Sequence, residues 1–224
     1  MNSSKKSILN SNFTYLAAFV LPVIMMMALY YTRGIFPWGN ECYLRSDMYH
    51  QYAPFFSELW HKIRNGESLT YSWNIGMGTN FTSLFAYYLA SPSNWFVALF
   101  PQKYTIEIMN AFIILKIAGS SLSLTYYLTK HNNNKHVIAA IFGMFYGMSG
   151  FIAAYSWNIM WLDCVILIPL IMLGLERLVN ENRCIFYCIT LGLCIFTNYY
   201  IAIMVCLSVV IYYVVLMIAY NGIK

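Results

Sequence analysis

Residues 13–32 read FTYLAAFVLPVIMMMALYYT and contain no charged side chain. A helix needs ~20 apolar residues to cross the hydrocarbon core of a bilayer, so this run is long enough to span a membrane. A cleaved signal peptide is the competing interpretation. However, the run is longer than the apolar core of a typical signal peptide. Arg33 and aromatic residues follow it, instead of a small-x-small cleavage site. We therefore predict a retained membrane helix, in which Pro22 is tolerated if a neighbour satisfies the freed carbonyl.

The composition of the whole chain agrees with this assignment. The 224 residues are 60% hydrophobic and 9% charged, whereas soluble domains are roughly 45–50% apolar and about 25% charged. Tyr and Trp, which favour membrane–water interfaces, number 20 and 6. The net charge of +5 comes from basic residues that fall mainly between apolar segments, without a basic cluster interleaved with aromatics. This pattern indicates membrane topology and disfavours nucleic-acid binding.

Four further apolar segments follow, at about 106–129, 137–155, 159–178 and 184–220. The last is too long for one span, and Asn198-Tyr199-Tyr200 near its middle predicts a turn between two helices. Residues 81–101 are also uncharged, but Ser91-Pro92-Ser93-Asn94 is a turn signal at their centre. Two half-length segments that dip into the membrane fit better there than one spanning helix. The predicted fold is all-α, a polytopic transmembrane bundle of about six spans.

Loop charges predict the orientation of this bundle. With the N-terminus (residues 1–12) in the cytoplasm and 81–101 not crossing, the basic residues of the short loops all lie inside: Lys5, Lys6, Lys130, Lys135, Arg177, Arg183 and Lys224. The loops at 156–162 and 198–200 lie outside and carry no Lys or Arg. We therefore expect a multi-pass cell-membrane protein with residues 33–105 on the outer face. Because the chain stops just after a span, we also expect it to be the N-terminal portion of a longer protein.

The long loop at 33–105 carries most of the polar residues of the chain. Within it, apolar side chains recur every three or four residues from Met48 to Ile63, which predicts helical faces. Pro54 suits the first turn of a helix, and Gly66 suits a C-terminal stop. The pattern predicts two amphipathic helices, at about 46–52 and 54–65, that lie on the membrane surface with their aromatic face in the headgroups.

The stretch from Ser46 to Tyr52, SDMYHQY, places a carboxylate, an imidazole and an amide within two turns. Asp47 and His50 are three residues apart and share a helical face. They could simply form a solvated polar face with Ser46 as N-cap. Alternatively, the surrounding aromatic rings would desolvate Asp47 and raise its basicity, as a general base requires.

A second polar feature is SWNIMWLD at residues 156–163, where Asp163 would stand at the outer end of a span on the same side as Asp47. Taken alone, Asp163 is typical of a helix-start carboxylate favoured by the helix dipole. Lys116, the lone charge of the span at 106–129, either snorkels or faces the bundle interior. Phosphate-loop, dinucleotide, zinc-protease and nucleophile-elbow motifs are absent. One acidic residue is too few to argue a metal site, so no cofactor is predicted and the metal requirement stays open.

Several motifs together resemble a known family. They are SDMYHQYxPFF from Ser46, WNIGMGTN from Trp73, YYLxSPxN from Tyr87 and LFP ending at Pro101, followed by Trp157-Asn158, Trp161-Leu162-Asp163 and Asn198-Tyr199-Tyr200. This set resembles the N-terminal region of bacterial YfhO-type membrane proteins. That family is similar to GT-C glycosyltransferases, which have many helices, membrane-surface helices in a long first outer loop and a polyprenyl-phosphate-linked sugar donor. Its members are associated with glycosylating lipoteichoic acid or similar cell-envelope polymers.

The resemblance implies roles for particular residues. Asp47 would be the catalytic base of an inverting transfer, His50 and Gln51 would orient it or bind donor phosphate, and Arg45 would contact phosphate. Asp163 would support the site or an acceptor. Two other functions stay open: a transporter or lipid flippase, which the nearly charge-free spans disfavour, and a noncatalytic membrane assembly subunit.

Overall fold

The computed structural model describes residues 2–133 and 137–221, with side chains described at 12–133 and 137–219. The chain is almost entirely helical. Its α-helices are α1 (Asn2–Thr32), α2 (Ala53–Asn65), α3 (Phe81–Leu84), α4 (Thr105–His131), α5 (Val137–Gly147), α6 (Gly150–Tyr155), α7 (Leu162–Glu181), α8 (Ile185–Thr197) and α9 (Tyr199–Asn221). Residues 33–104, called here the first loop, add π-helical turns at Met48–Tyr52 and Phe85–Leu89 and 3₁₀ segments at Pro92–Leu99 and Gln102–Tyr104.

The bundle confirms the predicted all-α membrane architecture. In the described part of the chain, four helical stretches are long and apolar enough to cross a bilayer: Asn12–Thr32, Gln102–His131, Val137–Tyr155 and Tyr199–Ala219. The other two predicted spans are α7, which has 20 residues and carries charges at both ends, and α8, which has 13. Thirteen helical residues rise only about 20 Å. The count of six spans therefore stays a prediction. The predicted turn is present, because α8 ends at Thr197 and α9 begins at Tyr199.

Two prolines lie inside long helices, and a neighbouring helix compensates each of them. Pro22 of α1 has no N–H for the carbonyl of Ala18, and the hydroxyl of Ser121 on α4 donates to that oxygen at 2.6 Å. Pro169 of α7 likewise frees the carbonyl of Val165, which accepts from the hydroxyl of Tyr146 on α5 at 2.8 Å. The expectation that a neighbour satisfies the carbonyl freed by Pro22 is confirmed, and the same device recurs at α7.

Helices α4 and α5 pack closely because α5 presents two glycines one turn apart. A Cβ atom at Gly143 would collide with Ser121 and Thr125 of α4, and one at Gly147 would crowd the backbone of Ile117. Small residues at a spacing of four let membrane helices approach closely, where dispersion contacts hold them together without a hydrophobic driving force. The Gly143–Gly147 pair therefore fixes α5 against α4.

The first loop packs on one end of this bundle. Pro54 lies in the first turn of α2, and Gly66 ends it in the left-handed conformation with φ 66°, as predicted. Serine 46 is not the N-cap: it has φ 49°, and Asp47 occupies the cap position without a side-chain bond. The 81–101 segment breaks at Ala90–Ser91, between the π turn and the 3₁₀ segment, so the predicted interruption is confirmed.

The prediction that the aromatic face of the first-loop helices lies in the lipid headgroups is wrong. Its apolar residues are instead buried in the main hydrophobic core, together with residues of α1, α4 and α7: Met48, Tyr52, Phe55, Phe56 and Leu59. Periodicity identified the residues that share a face. The end of the bundle covers that face, so it is not free to lie in headgroups.

Candidate functional site

Three long-range hydrogen bonds fasten the first loop to the turns at the end of the bundle. The Tyr52 hydroxyl donates to Asn158 Oδ1 at 2.9 Å, and the Asn198 amide donates to the Tyr87 carbonyl at 3.0 Å. The Tyr43 and Ser156 hydroxyls lie 2.6 Å apart. The first loop and the turns at 156–161 and 198 thus share one end of the bundle. The predicted placement of Asp47 and Asp163 at the same end is confirmed.

Arg177 and Arg183, predicted to lie on the opposite side, belong to the far end of α7 and the turn after it. The hydroxyls of Tyr15 on α1 and Thr129 on α4 meet 2.8 Å apart at this far end. Of the other basic residues used for the orientation, Lys135 and Lys224 lie outside the described residues, as do the side chains of Lys5 and Lys6.

Asp47 stands where the first loop enters its π-helical turn, and its side chain is exposed. Of the two alternatives for Asp47, its exposure agrees with the solvated polar face, and the Tyr52 ring turns inward and stacks on Trp157 at 6.2 Å. The charge of the Asp47 carboxylate nevertheless affects the pKa of Tyr52. Burial raises the pKa of Tyr52, and the charge of Asp47 raises it further.

The other predicted site residues fall into two groups. His50 and Arg45 are exposed beside Asp47, and the His50 ring lies edge-on to Tyr49 at 5.2 Å. Gln51 lies beside Tyr88, whose pKa is raised mainly by burial and is lowered in part by the Gln51 side chain. Asp163 belongs to the second group, since it points into the bundle. Exposed Asp47, Arg45 and His50 are therefore available to a ligand, whereas Asp163 has an internal partner.

That partner is Lys116, whose ammonium lies 2.6 Å from Asp163 Oδ2 and also donates to the Ile159 carbonyl at 3.2 Å. The exposed fractions of the two side chains are 5% and 15%. Of the two alternatives for Lys116, the structure shows the inward one. Burial of a pair costs desolvation that the short contact and the added carbonyl bond offset.

A cavity of about 800 Å³ opens beside Arg45, between the end of α1, the α5–α6 junction and the start of the first loop. Arg33, Arg45 and Glu41 lie along it as charged groups, and its apolar part is formed by residues that include Met26, Leu29, Ile117, Met148 and Ile152. Trp157, on which Tyr52 stacks, also lines it. The cavity therefore combines charged side chains, two of them arginines, with apolar lining residues.

Sequence reasoning missed Arg33, Tyr52 and Asn158. In the sequence, Arg33 only follows the apolar run of the first span, but in the structure it lines the same cavity as Arg45. Asn158 is 2% exposed, and its Nδ2 donor has no partner within the described residues; the same holds for the buried Nε1 of Trp161. Buried donors usually have partners, so these two are exceptions at the end of the bundle that the first loop covers. In the described ranges, no three His, Cys, Asp or Glu side chains converge as metal ligands.

The family described as "Bacterial membrane protein YfhO" matches residues 17–224. Neither the curated proteins nor the solved structures contain a match to the chain.

Proposed function

Because this chain belongs to the YfhO family of bacterial membrane proteins, we propose that it is a membrane glycosyltransferase, or the N-terminal part of one. It transfers a sugar from a polyprenyl-phosphate donor to a cell-envelope acceptor such as lipoteichoic acid. The reaction takes place on the outer face of the cell membrane, with the N-terminus of the chain in the cytoplasm.

The cavity beside Arg45, two residues before Asp47 in the chain, is the observation that carries this proposal. A polyprenyl-phosphate sugar has an isoprenoid chain, an anionic phosphate and a neutral sugar. The apolar section of the cavity suits the chain, and Arg33 and Arg45 suit the phosphate. Glu41 offsets one of the two positive charges, so the cationic section keeps a net charge of +1 from these three groups.

In the proposed reaction, Asp47 accepts the proton of an acceptor hydroxyl while that oxygen attacks the anomeric carbon. The bond between this carbon and the donor phosphate oxygen breaks on the opposite face, which inverts the configuration. Arg33 and Arg45 stabilise the negative charge that develops on the leaving polyprenyl phosphate. The exposure of Asp47 gives the acceptor access to it, and His50 lies close enough along the chain to contact the same substrate.

The role of Asp47 is tested by substitution in the protein encoded by the full reading frame. Asp47→Asn keeps the shape of the side chain but removes the base, and general-base catalysis contributes typically 10²–10⁴-fold. We expect transfer of radiolabelled sugar from the lipid donor to fall by that factor. The control is Glu67→Gln, which neutralises another half-exposed carboxylate of the first loop. Wild-type transfer by the Asp47 variant would exclude it as the base.

The arginine pair is tested separately through donor affinity. Arg33→Ala and Arg45→Ala should each raise KM for the lipid donor about tenfold or more, because charge-assisted hydrogen bonds contribute roughly 1.5–3 kcal/mol. Arg64→Ala is the matched control, since Arg64 is exposed on the same loop but lies over the Trp60 ring, away from the cavity. Equal donor KM in all three variants would remove the donor from this cavity.

Transport of a lipid or solute is the second candidate, and one observation favours it. The buried Lys116–Asp163 pair places ionisable groups inside the bundle, which is a common property of transport pathways. Substrate flux across liposomes that contain the protein, in the absence of sugar transfer, would establish this function instead.

A further inference from the structure

The WNIGMGTN motif forms a β-hairpin in the first loop, outside the site described above. Strand β1 (Tyr71–Ser72) pairs antiparallel with β2 (Thr79–Asn80), and residues 73–78 make the connecting tip. The tip needs glycine at position 78, where φ is +105° and a Cβ would collide with the Tyr71 hydroxyl. Residues 71–78 are absent from the lining of the cavity beside Arg45.

Two buried charged residues of α2 hold the base of this hairpin. Glu58 accepts from the Ser72 hydroxyl at 2.6 Å and from the Asn74 amide at 3.0 Å. Lys62 donates to the carbonyls of Ser68 and Tyr71 at 3.0 and 2.9 Å. Lys62 also lies 3.7 Å from Glu58, and the two side chains are 3% and 7% exposed. We call Glu58 and Lys62 the clamp. Because burial of two charges is costly, the clamp adds little to the free energy of unfolding, and its main effect is to fix the geometry of the hairpin.

The clamp presents an aromatic surface to the exterior. Trp73 is 77% exposed and Met77 is 97% exposed. The Tyr71 ring meets the Trp73 ring edge-on, with centroids 4.9 Å apart, which fixes the orientation of the indole. An exposed Trp held in one orientation by a buried clamp contributes little to folding, so its rigid face is available to a partner.

Charge decides which partner fits. No charged residue occurs from Ser68 to Gln102, and the cation nearest the hairpin base, Lys62, is buried and paired with Glu58. The half-exposed charges beside the base are Glu67 and His61, which pair with each other. An anionic lipid surface or polyphosphate would need free Lys or Arg here. A neutral pyranose needs an aromatic face for its C–H groups and amides or hydroxyls at the edge. The hairpin carries Thr79 and the amides of Asn74 and Asn80, each amide with one polar atom outside its bond to Glu58 or Ser83.

We propose that the hairpin tip is a carbohydrate-binding platform, in which Trp73 stacks on a neutral pyranose ring of a glycan. The platform gives the protein a second sugar-binding position apart from the cavity beside Arg45. It rests on the proposed function only for the source of the glycan, because binding requires no transfer step.

Saturation-transfer NMR on the full-length protein in nanodiscs tests the platform, with cellotetraose and tetra-N-acetylchitotetraose as separate probes. We expect the native protein to bind at least one probe, Trp73→Ala to bind it roughly tenfold more weakly, and Trp73→Tyr to keep most of the affinity through its ring. Trp95→Ala is the matched control, because Trp95 is an exposed Trp of the first loop outside the hairpin. Thermal melting of each variant verifies the fold.

Three results would overturn the platform: no binding of either probe by the native protein, equal binding by Trp73→Ala, or equal loss in Trp95→Ala. The lipid alternative is measured in nanodiscs that contain brominated phosphatidylglycerol. If native fluorescence is quenched more than that of Trp73→Tyr, Trp73 is immersed in the bilayer and the platform is excluded. Sugar binding that persists in Asp47→Asn would support the platform even if the transfer reaction is disproved.

Discussion

Replacement of Lys116 by Met removes one half of the buried pair inside the bundle. Loss of one partner of a buried ion pair typically costs ~3–5 kcal/mol, because the other charge is left without compensation. Asp163 keeps 15% exposure and therefore part of its hydration, which places the expected loss at the lower end, about 3 kcal/mol. Asp163→Asn should cost a similar amount, since Lys116 then keeps only the Ile159 carbonyl at 3.2 Å.

The double variant Lys116→Met with Asp163→Asn distinguishes the interaction energy between the two side chains from the cost of each single substitution. With both charges gone, its loss should be smaller than the sum of the single losses by about 2 kcal/mol, within the range for residues in contact. The free energy of unfolding would be measured by SDS titration in mixed micelles, followed by far-UV circular dichroism. Lys130→Met is the control, because Lys130 is exposed on the same helix. Single losses that add within ~0.5 kcal/mol would refute the energetic coupling of the pair.

Three further predictions concern packing and pH. Ser121→Ala should lower the free energy of unfolding by about 1–2 kcal/mol in the same titration, because the Ala18 carbonyl freed by Pro22 loses its donor. Gly143→Val should prevent close packing of α5 on α4 and lower the melting temperature, whereas Gly192→Val, where a Cβ meets open space, should not. Burial and the charge of Asp47 raise the pKa of Tyr52 in the folded protein. The free energy of unfolding should therefore be unaffected by Tyr52 ionisation below about pH 10, the pKa of an unfolded tyrosine, and should fall as the pH rises above it. Asp47→Asn should reduce this alkaline loss in a pH series of thermal melts.

Local signals in the sequence were sufficient for several helix boundaries, but not for the break that divides the 137–155 segment into α5 and α6. The uncharged run after Asn12 formed the apolar part of α1, and the turn signal at Ser91–Asn94 marked a real break. Asn198 interrupts the last apolar segment because both atoms of its side-chain amide have partners there. Its Oδ1 accepts from the Ile201 N–H, and its Nδ2 donates to the Tyr87 carbonyl. These features depend on a few neighbouring residues, which a single sequence displays.

Features that depend on distant residues were not predictable. The 3.6-residue period showed that Phe55, Phe56 and Leu59 share a face, but the same pattern serves a lipid surface and a protein core equally. The pairing of Lys116 with Asp163 joins residues 47 positions apart, and the cavity joins Arg33 to Arg45 across a loop with no regular repeat. In each case the partner is set by how the helices pack, which periodicity does not encode.

The hydrogen bonds that fasten the first loop also impose an order on biosynthesis. Tyr43, Tyr52 and Tyr87 pair with residues 113, 106 and 111 positions later in the chain. Translation reaches the first loop long before those partners leave the ribosome. The loop therefore leaves the ribosome with Tyr52 and Phe56 uncovered, and it becomes fixed only after the Asn158 turn and then the Asn198 turn have been synthesised. Until then, the surface around Asp47 is unfinished, and a nascent chain arrested before Asn198 would be an exposed substrate for membrane quality-control proteases.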